Sequence, residues 1–239
     1  MSSLNSLTRD TLMNLLYTKG IDRVDSKIKD LLLQCENGSA AVRDRSTIKG
    51  ELSEIALECH LLYWVERLEH LVTVKSLCIK SQTSNATAEI DILLASPCRV
   101  YLFECKSFKG KKTLSKECFL QGGSSSKDVY EQSRYHLQIL EQHISQYRYP
   151  SNSKVSPYQL ILFELSSDEI KDVREDKWQK NIPLLTMNSL DSWLLHELKC
   201  QHEVRWDISG LTRKLKELDE SSAKMFKFHM AKITHRKKD

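Results

Sequence analysis

Residues 89–106 read EIDILLASPCRVYLFECK and contain two apolar segments joined by Ser96 and Pro97. Both segments are rich in β-branched and aromatic residues, which favour β-strands, and a Ser-Pro pair is typical of a turn. The pattern therefore predicts strands over 87–95 and 98–106 that pair as a hairpin.

Each strand of the predicted hairpin contains an acidic residue in an apolar context, Asp91 in the first strand and Glu104 in the second. Because side chains alternate between the two faces of a strand, Glu104 and Lys106 share one face, and Phe103 and Cys105 share the other. Two carboxylates can hold a divalent cation, Mg²⁺ or Mn²⁺, and the backbone carbonyl of Cys105 can add a further oxygen ligand. Asp91, Glu104 and Lys106 therefore form a candidate catalytic and metal-binding site.

Such a site suits the hydrolysis of a phosphodiester bond. A divalent cation acts as a Lewis acid and generates the nucleophile, and the Lys106 ammonium can position the attacking water and offset the developing charge. Two other functions stay open on the residues alone. One is a module that binds nucleic acid without cleaving it, and the other is a structural α/β protein whose lysine-rich loop contacts a partner protein.

The flanking segments predict a sheet covered by helices. From Gly50 the apolar residues follow the i, i+3, i+4, i+7 spacing of an amphipathic helix. Further strands are predicted over 71–80, 158–165 and 182–186, further helices near 127–147 and over 189–198, and a Gly-Ser loop over 122–126. This order is typical of an α/β or α+β sandwich with a central mixed sheet. The last thirty residues are expected to form a charged helix that packs loosely or extends outward.

Three acidic residues of the first predicted helix, Glu51, Glu54 and Glu58, fall within one narrow stripe. Residues three or four positions apart lie on the same side of a helix, so any of the three can reach a metal bound at the hairpin. The other two are then expected to lie on a solvated helix edge.

Positive charge is concentrated in two places, although the formal net charge is only +4. One is a run of lysines without acidic residues directly after the second hairpin strand. We call its members beyond Lys106 the lysine loop: Lys109, Lys111, Lys112 and Lys116. The other lies between residues 224 and 238. Both suit a polyanion such as DNA, because each neutralised phosphate releases counterions.

Several classes of protein lack their signatures in this sequence. The motifs GxGxxG, GxxxxGK[ST] and GxSxG are absent, which argues against dinucleotide enzymes, P-loop NTPases and serine α/β-hydrolases. The seven cysteines include no CxxC pair, so we expect reduced thiols and a cytoplasmic protein. No apolar run is long enough to span a membrane, and no membrane association is expected.

Several short blocks follow one another in a characteristic order and spacing: Ile90-Asp91, Ser96-Pro97, Val100-Tyr101, Glu104-Cys105-Lys106 and Gly110. Upstream, Lys49-Gly50-Glu51 opens a helix, and downstream the segment from Val129 to His136 contains Gln132. In these blocks the sequence resembles the PD-(D/E)XK nuclease superfamily and is most similar to its nuclease-related domain (NERD) group. Ser53 stands where that group has a second glycine.

The resemblance covers about residues 49–199 and implies a restriction-endonuclease-like core. It leaves a helical N-terminal extension over 1–48 and a basic helical tail over 200–239. It also implies a metal-dependent nuclease, with DNA as the expected substrate and RNA as the alternative. The oligomeric state stays open, with a homodimer as one option.

The resemblance also implies roles for residues outside the hairpin. It favours Glu54 as the helix acid at the metal, with Glu51 as the second choice. It implies that Gln132 orients the nucleophile or contacts phosphate. His136, one helical turn further on, is expected to be an ordinary surface histidine.

Overall fold

The structure is a computed structural model. It describes residues 45–106, 112–115, 119–121, 124–125, 129–164, 170–174, 182–199 and 203–236. The helices predicted within residues 1–44 lie outside this part of the chain, as do Lys109, Lys111 and Lys116 of the lysine loop.

The helices and strands follow the predicted order, with additional short strands. The helices are α1 (Arg45–Val65), α2 (Val129–Ile144), α3 (Met187–Lys199) and α4 (Ile208–Arg236), and a short 3-10 helix (Ser145–Tyr147) follows α2. The strands are β1 (Val72–Lys80), β2 (Thr87–Ala95), β3 (Val100–Lys106), β4 (Lys112–Leu114), β5 (Phe119–Gln121), β6 (Ser124–Ser125), β7 (Tyr158–Glu164), β8 (Ile170–Asp172) and β9 (Leu184–Thr186).

Five strands form the central sheet, in the order β1-β2-β3-β7-β9. β1, β2 and β3 pair antiparallel, as expected for strands joined by short connections. β3 pairs with β7 and β7 pairs with β9 in parallel, and the connection from β3 to β7 contains α2. The predicted hairpin and the predicted mixed sheet flanked by helices are therefore confirmed.

The central sheet buries both of its faces. On one face α1 and α3 pack against the sheet, and on the other face α2 and α4 do so. Burial on both sides explains why β7, with the sequence YQLILFE, is apolar through most of its length instead of alternating. The result is a three-layer arrangement consistent with the restriction-endonuclease-like fold.

The sequence does not predict the second sheet, which has the strand order β6-β5-β4-β8. Its strands contain three residues or fewer, so they are too short to show a periodicity. The loop expected over 122–126 is wrong at Ser124 and Ser125, which form β6. Leu114 of β4 is buried in a cluster with Leu162 of β7, which joins the two sheets.

α4 packs closely against the central sheet over its first half, so the expectation of a loosely packed C-terminal helix is wrong there. Leu211, Leu215 and Leu218 are buried in the core that α4 forms with β1 and β2. These leucines recur at the i, i+4, i+7 spacing of an apolar helix stripe. Because charged residues separate them, the overall composition of the segment did not indicate the stripe.

Candidate active site

The candidate site lies at the end of the β2–β3 hairpin that is remote from the turn. The backbone ladder between β2 and β3 ends at the pair formed by Ile92 and Phe103. Beyond this pair, the backbone N–H of Cys105 donates to the carboxylate of Asp91 at 2.7 Å. A side chain thus takes the place of the next ladder bond and fixes Asp91 beside the end of β3.

At the level of Asp91, the regular alternation of side chains between the two faces of the sheet is interrupted in both β1 and β2. Leu93 and Ile90 of β2 belong to the same core cluster, although strict alternation places residues three positions apart on opposite faces. Ser76 of β1 lies opposite Asp91 in the pairing register and has a φ of 52°. Such left-handed backbone is uncommon for residues other than glycine. Asp91 therefore sits at a break in the regular pleat, opposite a residue in left-handed backbone, and such strained conformations cluster at functional sites.

Glu104 is buried, with 4% of its surface exposed, and its carboxylate lies between Lys106 and His136. Nζ of Lys106 donates to Oε1 of Glu104 at 2.5 Å, and Nδ1 of His136 lies 3.5 Å from Oε2. Glu104 and Lys106 therefore share one face of β3, as predicted. Phe103 and Cys105 belong to the core on the opposite face.

His136 is a member of the site, so its assignment to the surface is wrong. It is only 8% exposed, and it lines a small cavity beside Glu104 and Ser133. The sequence contained a signal for this position, because His136 continues the buried stripe of α2 that Val129, Ser133 and Leu140 define at helical spacing.

The charges of the site shift the pKa values of its members in opposite directions. Burial, followed by the negative charge of Glu104, raises the pKa of Asp91 well above its usual range. Burial alone would also raise the pKa of Glu104, but the bonds to His136 and Lys106 lower it below its ordinary value. Burial would lower the pKa of Lys106, and the attraction of Glu104 raises it instead. Such perturbed, mutually dependent groups are characteristic of functional sites.

Among the helix acids whose side chains the structure describes, Glu54 is close enough to the site for its negative charge to contribute to the raised pKa of Asp91. Glu58 forms an ion pair with Lys75 at 3.2 Å, and both side chains are largely buried. The expectation of a solvated helix edge is therefore wrong for Glu58. The side chain of Glu51 is not among those that the structure describes.

The structure also gives the positions of three other predicted site residues, Gln132, Cys105 and Lys112. Gln132 lies on α2, one helical turn before His136, and is partly buried. Only the backbone carbonyl of Cys105 is a candidate ligand, because its side chain packs against the core. Lys112, the first residue of β4, is the one member of the lysine loop whose backbone lies in the described part of the chain.

The donor set at this end of the hairpin fits a hard divalent cation. Glu54, Asp91 and Glu104 offer carboxylate oxygens, which Mg²⁺ and Mn²⁺ prefer as ligands. The arrangement is not a preformed cage, because within the described ranges no group of three or more His, Cys, Asp or Glu side chains is placed to hold a metal ion. The Glu104 oxygens already contact Lys106 and His136. A cation held at this site would therefore compete with these two side chains for Glu104.

The mixed sheet between helices, with an acid on one strand and a Glu-x-Lys pair at the end of the next, is consistent with the sequence's resemblance to the PD-(D/E)XK nuclease superfamily. Residues 53–163, slightly under half of the chain, match the family model of the nuclease-related domain (NERD). The match confirms the resemblance seen in the sequence and includes the hairpin and α2, whereas α4 lies outside it.

No curated protein and no solved structure matches the chain at a significant level. Among the described helices, none is both long enough and apolar enough to cross a membrane.

Proposed function

We propose that this chain is a divalent-metal-dependent nuclease that hydrolyses phosphodiester bonds, with DNA as its substrate. One observation carries the proposal: Asp91, Glu104 and Lys106 meet at the open end of a hairpin inside a nuclease-related domain. The irregular pleat at Asp91 and the shifted pKa values support it, because neither feature is needed for a hairpin that serves only to build the core.

The carboxylates of Asp91, Glu104 and Glu54 and the carbonyl of Cys105 are the groups that hold the cation in this proposal. A bound Mg²⁺ or Mn²⁺ supplies Lewis acidity and a water of lowered pKa. Asp91 is kept in position by the Cys105 backbone, at 2.7 Å, so that its second oxygen stays available.

Lys106 acts on charge and position. Its ammonium is held by Glu104 at 2.5 Å on the face of β3 that carries the site, where it orients the attacking water and offsets charge that develops on the phosphate. Gln132 approaches from α2 and is assigned to the nucleophile or to a phosphate oxygen. Both residues supply donors, which suit the oxygens of a phosphodiester.

The lysine loop is proposed to bind the DNA backbone. It follows β3 directly in the chain, and β4 begins with Lys112, so these lysines are close in sequence to the Glu104–Lys106 pair. Lysine contacts to phosphates provide affinity without reading the base sequence.

A second function, binding of nucleic acid without cleavage, is favoured by one observation. In the described arrangement one oxygen of Glu104 contacts the Lys106 ammonium and the other lies near a ring nitrogen of His136, and no three-residue metal group is preformed among the described residues. In that case the acidic cluster would be a structural ion-pair network, and the lysine loop would account for the binding.

A cleavage assay separates the two functions. Supercoiled plasmid, linear duplex, branched DNA and RNA are incubated with the protein in Mg²⁺, in Mn²⁺ or in EDTA. We expect metal-dependent cleavage of DNA by the parent, and none by Asp91→Asn. The asparagine oxygen can still accept the Cys105 N–H, so the variant should fold. Glu89→Gln, on the same strand but outside the site, is the matched control and should cleave like the parent.

Tight DNA binding without cleavage in either metal would overturn the nuclease proposal and support the binding module. Undiminished cleavage by Asp91→Asn would show that the activity belongs to another site.

A further inference from the structure

A hydroxyl group of α4 binds the outer edge of β1 at Ser76 and Cys78. β1 is an edge strand of the central sheet, so alternate backbone groups on its outer side lack a strand partner there. The Ser222 hydroxyl accepts the backbone N–H of Cys78 at 2.7 Å and donates to the carbonyl of Ser76 at 3.1 Å. These are the two groups that a neighbouring strand would bind, and Ser222 is itself only 6% exposed.

The segment that Ser222 holds is the irregular point of β1. Ser76 is the residue with the left-handed φ of 52°, and here the buried face of β1 changes, so that Val74 and Leu77 lie in the same core cluster. Serine does not favour this conformation on its own, so surrounding contacts have to maintain it. The Ser222 hydroxyl provides such contacts, because it binds the carbonyl of Ser76 and the N–H of Cys78, on either side of Leu77.

The irregular point of β1 is also the point that faces Asp91. The register pairs Lys75 with Ile92 and Leu77 with Ile90, which places Ser76 opposite Asp91. The conformation of β2 at Asp91 is thus matched to the conformation of β1 at Ser76. A change in one strand has to be accommodated by the other, because the flanking pairs remain bound.

We propose that Ser222 is a positioning residue for Asp91, acting through the Ser76–Cys78 segment of β1. The proposal rests on the proposed function, in which Asp91 is a metal ligand. It assigns part of the site's architecture to α4, a helix outside residues 53–163 that match the nuclease-related domain. The site of this chain is then incomplete without its C-terminal helix.

The test compares two neighbouring serines by the affinity of the protein for Mn²⁺, measured by titration calorimetry well below the unfolding temperature. We expect Ser222→Ala to weaken Mn²⁺ binding by about tenfold, the lower end of the losses seen when groups that orient metal ligands are removed. Ser221→Ala is the matched control. The Ser221 hydroxyl donates to the carbonyl of Leu218 in its own helix at 2.9 Å, so Ser221→Ala should leave the affinity unchanged.

Thermal unfolding of the same variants separates position from stability. If Ser222 only stabilises the fold, Ser222→Ala has a lower melting temperature but the same Mn²⁺ affinity as the parent. This result overturns the proposal. Ser222→Cys keeps the size of the side chain with weaker hydrogen bonds, so it should show a smaller loss of affinity and replaces the alanine variant if that variant does not fold. A parent protein that binds no Mn²⁺ contradicts the proposed function itself, which distinguishes the two failures.

Discussion

The two ends of the β2–β3 hairpin use their polar groups in different ways. At the turn, the Ser96 hydroxyl accepts the backbone N–H of Arg99 at 3.1 Å, and the Arg99 guanidinium pairs with Glu197 at 3.1 Å. At the other end, Glu104 is buried and Asp91 partly buried, and the negative charge of Glu104 helps to raise the pKa of Asp91. At the turn one cation meets one carboxylate, whereas at the site two carboxylates, Asp91 and Glu104, are brought together beside a single lysine.

This difference indicates what each end contributes. Paired opposite charges and a closed turn stabilise the hairpin and leave little for a ligand to bind. Like charges held together cost stability, and proteins retain them chiefly where they serve a function. Variants at the two ends should therefore separate stability from activity, and the expected effects are given below in decreasing order.

Lys106→Ala should have the largest of these effects. We expect a loss of about a hundredfold in the cleavage rate, as for other groups that stabilise developing charge, and little recovery in Lys106→Arg, because a planar guanidinium does not replace a compact ammonium. Mn²⁺ binding should persist in Lys106→Ala and become tighter, because Lys106 no longer competes for Glu104. Lys154→Ala, an exposed lysine elsewhere, is the control. Cleavage at the parent rate would remove Lys106 from the mechanism.

Glu197→Gln should affect stability and leave the chemistry unchanged. The variant leaves the Arg99 guanidinium, which is 9% exposed, without its carboxylate partner, at a cost of about 2 kcal/mol of unfolding free energy. Denaturant unfolding measures this loss. The cleavage rate at about 20 °C, well below the thermal unfolding transition, should equal that of the parent. Glu203→Gln is the control, because Glu203 bonds an exposed serine. A rate that falls together with stability would contradict the separation of the two ends.

His136→Gln should have a smaller effect at the site end. It removes the group 3.5 Å from Glu104, and a loss of about tenfold in Mn²⁺ affinity or cleavage is typical for a group that orients a ligand. His143→Gln is the matched control on the same helix, because His143 contacts the backbone carbonyl of Lys80 and not the site. Equal behaviour of the two variants would assign His136 to packing alone.

Neutralising Lys109, Lys111 and Lys112 together should change binding and hardly change the rate. The slope of log K against log salt should decrease by about 0.9 for each lost duplex phosphate contact, while the rate at saturating DNA changes little. Lys154 and Lys216, both exposed, provide a control double variant. A parental slope in the triple variant would mean that the lysine loop is ordinary solvated surface.

The regular part of the fold was predictable because its signals are local. The range of β2 is identical to its prediction, and the turn at Ser96 was recognised from the Ser-Pro pair. β3 begins two residues later than predicted, at Val100, because the turn extends to Arg99, whose carbonyl accepts the Ser96 N–H at 2.9 Å. The second sheet was missed because strands of three residues carry no pattern.

The site was predictable only in part. The Asp91, Glu104 and Lys106 set follows from residue type and spacing, and the apolar stripe of α2 carried a signal that His136 is buried. The approach of His136 to Glu104 and the contacts of Ser222 with β1 join segments that are distant in the chain, so no local pattern indicates them. The change of face in β1 did leave a trace, since Val74 and Leu77 are an odd number of positions apart yet both apolar. A search for strict alternation of apolar and polar residues disregards this spacing. In the structure, the interruption of the alternation between Val74 and Leu77 lies at the level of Asp91.

The docking of α4 on β1 has a consequence for the order in which the molecule forms. Cys78 and Ser222 are 144 positions apart in the chain, and contacts of such separation form late because a long loop has to close first. During synthesis the outer edge of β1 therefore stays exposed until α4 has been made. An exposed strand edge readily pairs with other chains. Docking of α4 thus protects an exposed strand edge in the same step in which Ser222 reaches the Ser76–Cys78 segment beside Asp91.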